Sequence, residues 1–216
     1  MKLLTSLILF LTSLVLLNLP VTKLNNTAVA QTQKIALFSD KGYVKQGRIY
    51  QEQGKYDLAL SQYNKAIKIH PYSVSAYYNR GILYFVWKKY ELSLADFDKV
   101  IQIVPNHFGA YGNRGNAYLH LGKEKLALRN YNYAIKLNPN SARGYFNRGY
   151  VYNLQGKRRL AEADFQKAKD LFMKKGDKIN ALKASEYAKG FSLTDILKRY
   201  LKILRLKTEN IINYTR

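Results

Sequence analysis

Asparagine and arginine recur side by side along this 216-residue chain, as Asn79-Arg80-Gly81, Asn113-Arg114-Gly115 and Asn147-Arg148-Gly149. A carboxamide offers both a donor and an acceptor, and a guanidinium offers a planar fork of donors. Groups of this kind recognise other molecules through hydrogen bonds. The residues that could turn a substrate over are poorly placed. His70, His107 and His120 have no cysteine or acidic neighbours at ligand spacing, whereas zinc needs three or four convergent ligands. They read as surface or packing residues, with no metal and no cofactor implied. The chain holds no Gly-rich phosphate loop, nucleophile elbow or paired-carboxylate site. The expectation is a binding protein and not an enzyme.

The elements that must position these residues follow from a 34-residue period. Gly47, Gly81, Gly115 and Gly149 each have a tyrosine four residues earlier (Tyr43, Tyr77, Tyr111, Tyr145) and another three residues later (Tyr50, Tyr84, Tyr118, Tyr152). Self-similarity at such a period marks a repeat array. The units run 40–73, 74–107, 108–141 and 142–175, with the glycine eighth in each. Each unit reads as two helices. The second carries a small residue at position 20 (Ala59, Ser93, Ala127, Ala161) and an aromatic at 24 (Tyr63, Phe97, Tyr131, Phe165). Position 27 holds Ala66, Val100, Ala134 and Ala168. Spacings of four, three and seven put these on one helical stripe. Gly54, Gly122 and Gly156 mark the turn between the helices, with Lys88 as the exception. Pro71, Pro105 and Pro139 close the second helices, since proline cannot continue one. Met173 stands at that place in the last unit, so its helix is expected to run on until Gly176-Asp177. Glycine at eight and the small residue at 20 are expected to let the helices approach, with the aromatics filling the space between hairpins.

These residues resemble the tetratricopeptide repeat family, whose pattern asks for an aromatic at four, Gly at eight, Tyr at 11, Ala at 20, an aromatic at 24, Ala at 27 and Pro at 32. Unit 108–141 matches at every one, and the resemblance covers 40–175. It implies an all-α fold, a right-handed helical-hairpin solenoid with C-terminal capping helices. It also implies that the first helices line a concave groove. Position six then forms a ladder of Asn79, Asn113 and Asn147, preceded by Lys45, able to pair with the backbone of an extended peptide. The plainer alternative is that these asparagines only cap or hydrate their helices. Asparagine is a poor helix former, so three placements in register favour a role. Lys41, Arg48, Tyr78, Asn116, Arg143 and Phe146 are the other groove residues by resemblance. Together they make a basic, aromatic groove suited to acidic or C-terminal carboxylate peptides. The dicarboxylate clamp of chaperone-binding relatives asks for Lys, Asn, Asn, Lys and Arg. Those places hold Val44, Arg48, Asn79, Gly109 and Asn113 in one register, and Tyr78, Ile82, Asn113, Arg143 and Asn147 in the next. Neither register matches. Arg80, Arg114 and Arg148, at position seven, are expected to make inter-helix contacts.

Charge and the chain ends bear on partners and compartment. Thirty-six basic residues against fourteen acidic ones give a formal charge of +22, and there is no cysteine. Lys2 precedes an apolar run, Leu3 to Leu19, and Ala28-Val29-Ala30 follows at residues a signal peptidase reads. This is the pattern of a secretory signal peptide spanning 1–30, with Gln31 as the new terminus and 31–39 as a short linker. An uncleaved anchor is the alternative, and the Ala-x-Ala site favours cleavage. The expected destination is the periplasm or an equivalent extracytoplasmic compartment, and exported bacterial proteins of this family, cyanobacterial ones included, look similar in layout. After the array, 176–190 reads as a capping helix, and 191–216 as a basic amphipathic helix opened by Ser192-Leu193-Thr194-Asp195. That last helix either packs on the end of the stack or touches an anionic membrane. The tyrosines occupy packing positions, so no nucleic-acid partner is expected. The function expected is a scaffold or assembly factor that binds another protein or peptide. The competing reading is a membrane-surface adaptor held by the C-terminal helix.

Overall fold

The computed structural model describes residues 39–190. The signal segment, most of the linker and the basic C-terminal helix expected above lie outside the described residues. Within them the chain is all-α, with helices α1 Asp40–Glu52, α2 Tyr56–Ile69, α3 Val74–Val86, α4 Tyr90–Ile103, α5 Phe108–His120, α6 Glu124–Leu137, α7 Ala142–Leu154, α8 Arg158–Lys174 and α9 Lys178–Ala188. Two compact units share them. The first reaches to Ala76 and contains the α1–α2 hairpin. The second starts at Tyr77. In it α4 packs on α5, α5 on α6, α6 on α7, α7 on α8 and α8 on α9.

The helix ends follow from local chemistry. A residue before proline is driven out of the α region. His70, Val104 and Asn138 accordingly sit at φ −130°, −130° and −137° and end α2, α4 and α6 after 14 residues each. With Met173 in place of proline, α8 runs 17 residues. It stops at Gly176 (φ +73°), and Asp177 then caps α9 by accepting from the Asn180 amide at 3.1 Å. The turns inside three hairpins use glycines at φ near +70°. In the fourth, Lys88 is forced to φ +59°, a left-handed conformation that costs a residue with a Cβ about 1 kcal/mol. Ser39, His107 and Ser141 cap the first helices of their hairpins, each accepting from an amide three residues on.

The core of each hairpin is the aromatic at position 24. Tyr63, Phe97, Tyr131 and Phe165 are essentially sealed from solvent, as are the small residues at 20 and 27. The glycine at position eight exists for that ring. A Cβ on Gly47 would stand 2.5 Å from Tyr63 Cε1, and one on Gly115 would stand 2.6 Å from Tyr131 Cε1. On Gly81 it would meet Phe97 Cε1 at 2.9 Å, and on Gly149 the Asp164 Cβ at 3.0 Å. The first three are overlaps with the ring, and at Gly149 the contacts are tight, with Phe165 Cδ1 at 3.2 Å, so the first helix offers bare backbone to the ring. Ser93, at position 20 of its hairpin, satisfies its buried hydroxyl by donating to the Gly81 carbonyl at 2.8 Å.

The tyrosines at positions four and 11, expected with the other aromatics to fill the space between hairpins, are less enclosed than the ring at 24. They are half-buried, and in two hairpins an arginine lies between them. Arg80 is 5.4 Å from the Tyr77 ring and 5.8 Å from that of Tyr84. Arg148 is 5.5 and 5.8 Å from Tyr145 and Tyr152. Each guanidinium grips a carboxylate on its own second helix: Arg80 meets Asp96 at 2.8 and 2.7 Å, and Arg148 meets Asp164 at 2.7 Å on both arms. Arg148 also donates to Asn132 of the preceding hairpin at 2.8 Å. These bidentate pairs are charge-assisted and geometrically specific, and the Asp164 hydrogen bonds push the Arg148 guanidinium further above its already high pKa. The inter-helix role expected of these arginines is what the structure shows.

Two glycines of α5 separate packing from propensity. In an exposed helix interior, Gly→Ala stabilises by about 1 kcal/mol. Gly112 has open space where a Cβ would go, so Gly112→Ala is expected to stabilise by about that amount. Gly115→Ala is expected to destabilise by about 2 kcal/mol through overpacking against Tyr131. Urea unfolding of the two variants checks the opposite signs.

Candidate peptide-binding face

The candidate groove residues divide between the two units. Lys41, Lys45 and Arg48 are exposed on α1, all within the first unit. Tyr78, Asn79, Asn113, Asn116, Arg143, Phe146 and Asn147 belong to the second, on α3, α5 and α7. All of these second-unit residues are half-buried except Arg143, which is exposed.

In the second unit, hydrogen bonds tie several of them together. Asn113 Nδ2 donates to the Tyr78 hydroxyl at 3.0 Å. One helix on, Asn147 Nδ2 donates to Asn116 Oδ1 at 2.8 Å, and the same oxygen accepts from the buried Tyr131 hydroxyl at 2.8 Å. The ladder residue of one hairpin is thus fixed by the preceding first helix. The core aromatic at position 24 reaches through to the same network with its hydroxyl. In the first unit Tyr63 does the equivalent, donating to Gln51 Oε1 at 3.0 Å. Sequence reasoning missed this link. Its only trace is that tyrosine rather than phenylalanine stands at 24 in two hairpins.

Tyr78 is the aromatic centre of the face. Its ring lies 4.9 Å from His107 and 5.9 Å from Phe97. Its hydroxyl explains Gly109, since a Cβ there would come within 2.9 Å of it. Burial pushes the Tyr78 phenol up, opposed by the Asn113 hydrogen bond and the Arg143 charge. The hydroxyl is a neutral partner at physiological pH. Phe146 faces a different task. Its ring packs 5.4 Å from Phe165 and 5.3 Å from Tyr187, beneath α9, with the Lys183 ammonium 5.2 Å from its centre. The histidines serve packing and capping. His107 Nδ1 caps α5 by accepting the Ala110 amide at 3.0 Å. His120 stacks on Tyr90 at 5.0 Å, and His70 pairs with Asp40 at 3.3 Å. Among the described residues no group of three or more His, Cys, Asp or Glu side chains could hold a metal.

The two linking phenols carry a pH signature. Burial pushes Tyr63 up to about 12, and Tyr131 higher still. In the unfolded chain a tyrosine ionises near pH 10. Below that pH their stabilising share is complete. As pH climbs from 10 towards 12 the unfolded chain sheds these protons and the folded one does not, so stability falls. Tyr63→Phe with Tyr131→Phe, which copies the ring found at Phe97 and Phe165, is expected to flatten that alkaline limb. Denaturant midpoints between pH 8 and 11.5 measure it.

Models of a TPR repeat match residues 47–85 and 115–156, and models of the tetratricopeptide repeat match 74–107 and 142–172. Together they span more than half of the chain. No curated protein matches it. Among solved structures, MamA is similar at 24% identity and TM-score 0.59, covering 68% of this chain and 86% of MamA. TTC0263, a thermophilic TPR protein of Thermus thermophilus, is similar at 24% identity and TM-score 0.58, covering 76% of this chain and 98% of that one. Both likenesses concern the fold. The first TPR of Spaghetti (RPAP3), solved bound to the HSP90 peptide SRMEEVD, is 27% identical with TM-score 0.51 over 53% of this chain and 90% of its own.

Proposed function

We propose a protein-binding scaffold on one plain premise: the chain belongs to the tetratricopeptide repeat family. The face of α3, α5 and α7 in the second unit takes an extended stretch of a partner's backbone. One observation carries this reading. Asn113, Asn116 and Asn147 each spend one end of the amide on a neighbour, which holds the side chain in place. Among the described residues, Asn113 Oδ1, Asn147 Oδ1 and Asn116 Nδ2 make no hydrogen bond. Two acceptors and a donor, held in place beforehand, suit the alternating donors and acceptors of a peptide backbone. Holding them beforehand lowers the ordering cost of binding.

Charge selects the partner. A surplus of +22 attracts acidic chains and speeds their encounter. The Spaghetti (RPAP3) structure, whose bound peptide carries three acidic residues, supports the same mode. The tail clamp of chaperone-binding relatives is not reproduced here, so the partner is read as acidic without being a chaperone tail. The same reading exports the chain through cleavage after Ala30, and the protein recovered from its source is expected to have a mass that starts at Gln31.

The decisive experiment selects displayed ten-residue peptides of mixed charge on the purified protein. Asn113→Ala combined with Asn147→Ala is expected to weaken every selected peptide at least tenfold, since each lost amide contact is worth about 1 kcal/mol. Circular dichroism should show unchanged helicity. Retained affinity in that variant would remove the face from consideration, and a selection without acidic bias would remove the charge argument.

A further inference from the structure

The third hairpin, α5–α6, departs from its neighbours at three places that meet in one cavity. At position 22 it has Arg129, where the other units have Ser61, Ala95 and Ala163. At position 23 it has Asn130, where the flanking hairpins have Asp96 and Asp164. At position 26 it has Tyr133, where the others have Lys65, Lys99 and Lys167. Asn130, Arg129 and Tyr133 all line a cavity of about 340 Å³ between α5 and α6, closed on the α5 side by Tyr111, Arg114 and Tyr118.

The loss of the aspartate changes what Arg114 can satisfy. In both flanking hairpins a carboxylate occupies Nε and Nη2 together. Asn130 supplies a single oxygen, to Arg114 Nε at 2.8 Å, and turns its amide nitrogen to the Leu126 carbonyl at 2.8 Å. Nη1 reaches Asp98 of α4, an exposed carboxylate, as Arg148 Nη1 reaches Asn132. Nη2 has no hydrogen bond among the described residues. Arg129, exposed on the rim, adds a second positive charge. Two guanidiniums therefore line the cavity, and no carboxylate is among its lining residues. The aromatic wall is ordered as well: Tyr133 stacks on Tyr111 at 5.0 Å and 25°, and the Arg114 guanidinium lies 5.2 Å from the Tyr111 ring.

We infer that this cavity binds a carboxylate supplied from outside the chain, as a small organic acid or an acidic side chain of a partner. The flanking hairpins show the chemistry, since the same arginine in the same frame holds a carboxylate in each. The volume lies at the small end of ligand sites, large enough for a carboxylate with a few carbons against the tyrosine rings. Charge-assisted hydrogen bonds from Nη2 and Arg129 supply the attraction, and partial enclosure reduces its screening. Asp98 is the internal competitor and keeps Arg114 oriented when the cavity is unliganded. The site is independent of the peptide-binding face, because Tyr111, Arg114 and Tyr118 form a different stripe of α5 from Asn113 and Asn116.

The test uses the full mature chain at low ionic strength and reads the arginine side-chain Nε–H resonances by NMR. The probes are glutarate, an acetylated and amidated Glu-Glu-Asp tripeptide, and inorganic phosphate. Glutarate or the tripeptide is expected to saturate with a Kd of about 1 mM or tighter and to move the Arg114 signal. A tripeptide binding tenfold tighter than glutarate identifies a partner's side chain as the source, and comparable binding identifies a free acid. Asn130→Asp restores the residue of both flanking hairpins. It should weaken either probe at least tenfold while raising the thermal midpoint. Arg129→Gln, on the surface, should weaken binding without altering the midpoint. Asn113→Ala with Asn147→Ala should leave it unchanged, which separates this site from the peptide face. Absence of saturation, binding by the Asn130→Asp or Arg129→Gln variant as tight as that of the unaltered chain, or phosphate binding as tightly as the carboxylates would overturn the inference.

Discussion

Each hairpin depends on the meeting of a bare backbone with a buried ring. Glycine at position eight brings the first helix so close to the second that the aromatic at position 24 lies against its main chain. The ring is then almost wholly removed from water, and burial of that apolar area is the largest stabilising term such a small pair of helices can have. The small residues at 20 and 27 are consequences of the same closeness. Ala59, Ala127 and Ala161 fit where a longer side chain would hold the helices apart, and Ser93 fits only because its hydroxyl finds the Gly81 carbonyl. A helical glycine would otherwise be a local weakness, so its recurrence is explained by the contact and by nothing in the isolated helix.

The ring also connects the core to the surface. Where it is tyrosine, its hydroxyl emerges on the side of the hairpin that carries the polar amides and holds Asn116 or Gln51 in place. Packing and the proposed binding face are thereby coupled through one side chain. The arginines at position seven perform a parallel service on another stripe of the first helix. Arg80 and Arg148 join the two helices of a hairpin through a carboxylate and Arg114 through the Asn130 amide, and Arg148 and Arg114 reach the preceding hairpin through Asn132 and Asp98. Arg80 and Arg148 keep their charge because it is paired with Asp96 and Asp164.

A repeat supplies its own controls. Three hairpins in the second unit present the same frame with different side chains, so departures can be read against their neighbours. Lys88 in a left-handed turn is one such departure and only costs stability. The trio Arg129, Asn130 and Tyr133 is another, and its members converge on a single cavity. Phe146 is a third case. The family resemblance puts it among the groove residues, and the added helix α9 packs Tyr187 against its ring, leaving it half-buried. The position of a residue in the repeat and its use in the folded chain are therefore separate facts.

Period and proline spacing alone determined the all-α hairpin architecture, the helix ends at His70, Val104 and Asn138, and the longer α8. These are short-range matters: a proline excludes the helix from the residue before it, and a 34-residue frame repeats one local solution. The candidate face was legible as a list of residues. Which of them meet was a tertiary decision, because Asn147 reaches Asn116 and Asn113 reaches Tyr78 across 31 and 35 residues of chain. The half-burial of the flanking tyrosines and the cavity beside Arg114 were likewise decided only in three dimensions. A side chain's type sets what it can bond, and only the packing of neighbouring helices sets which of those bonds are already taken.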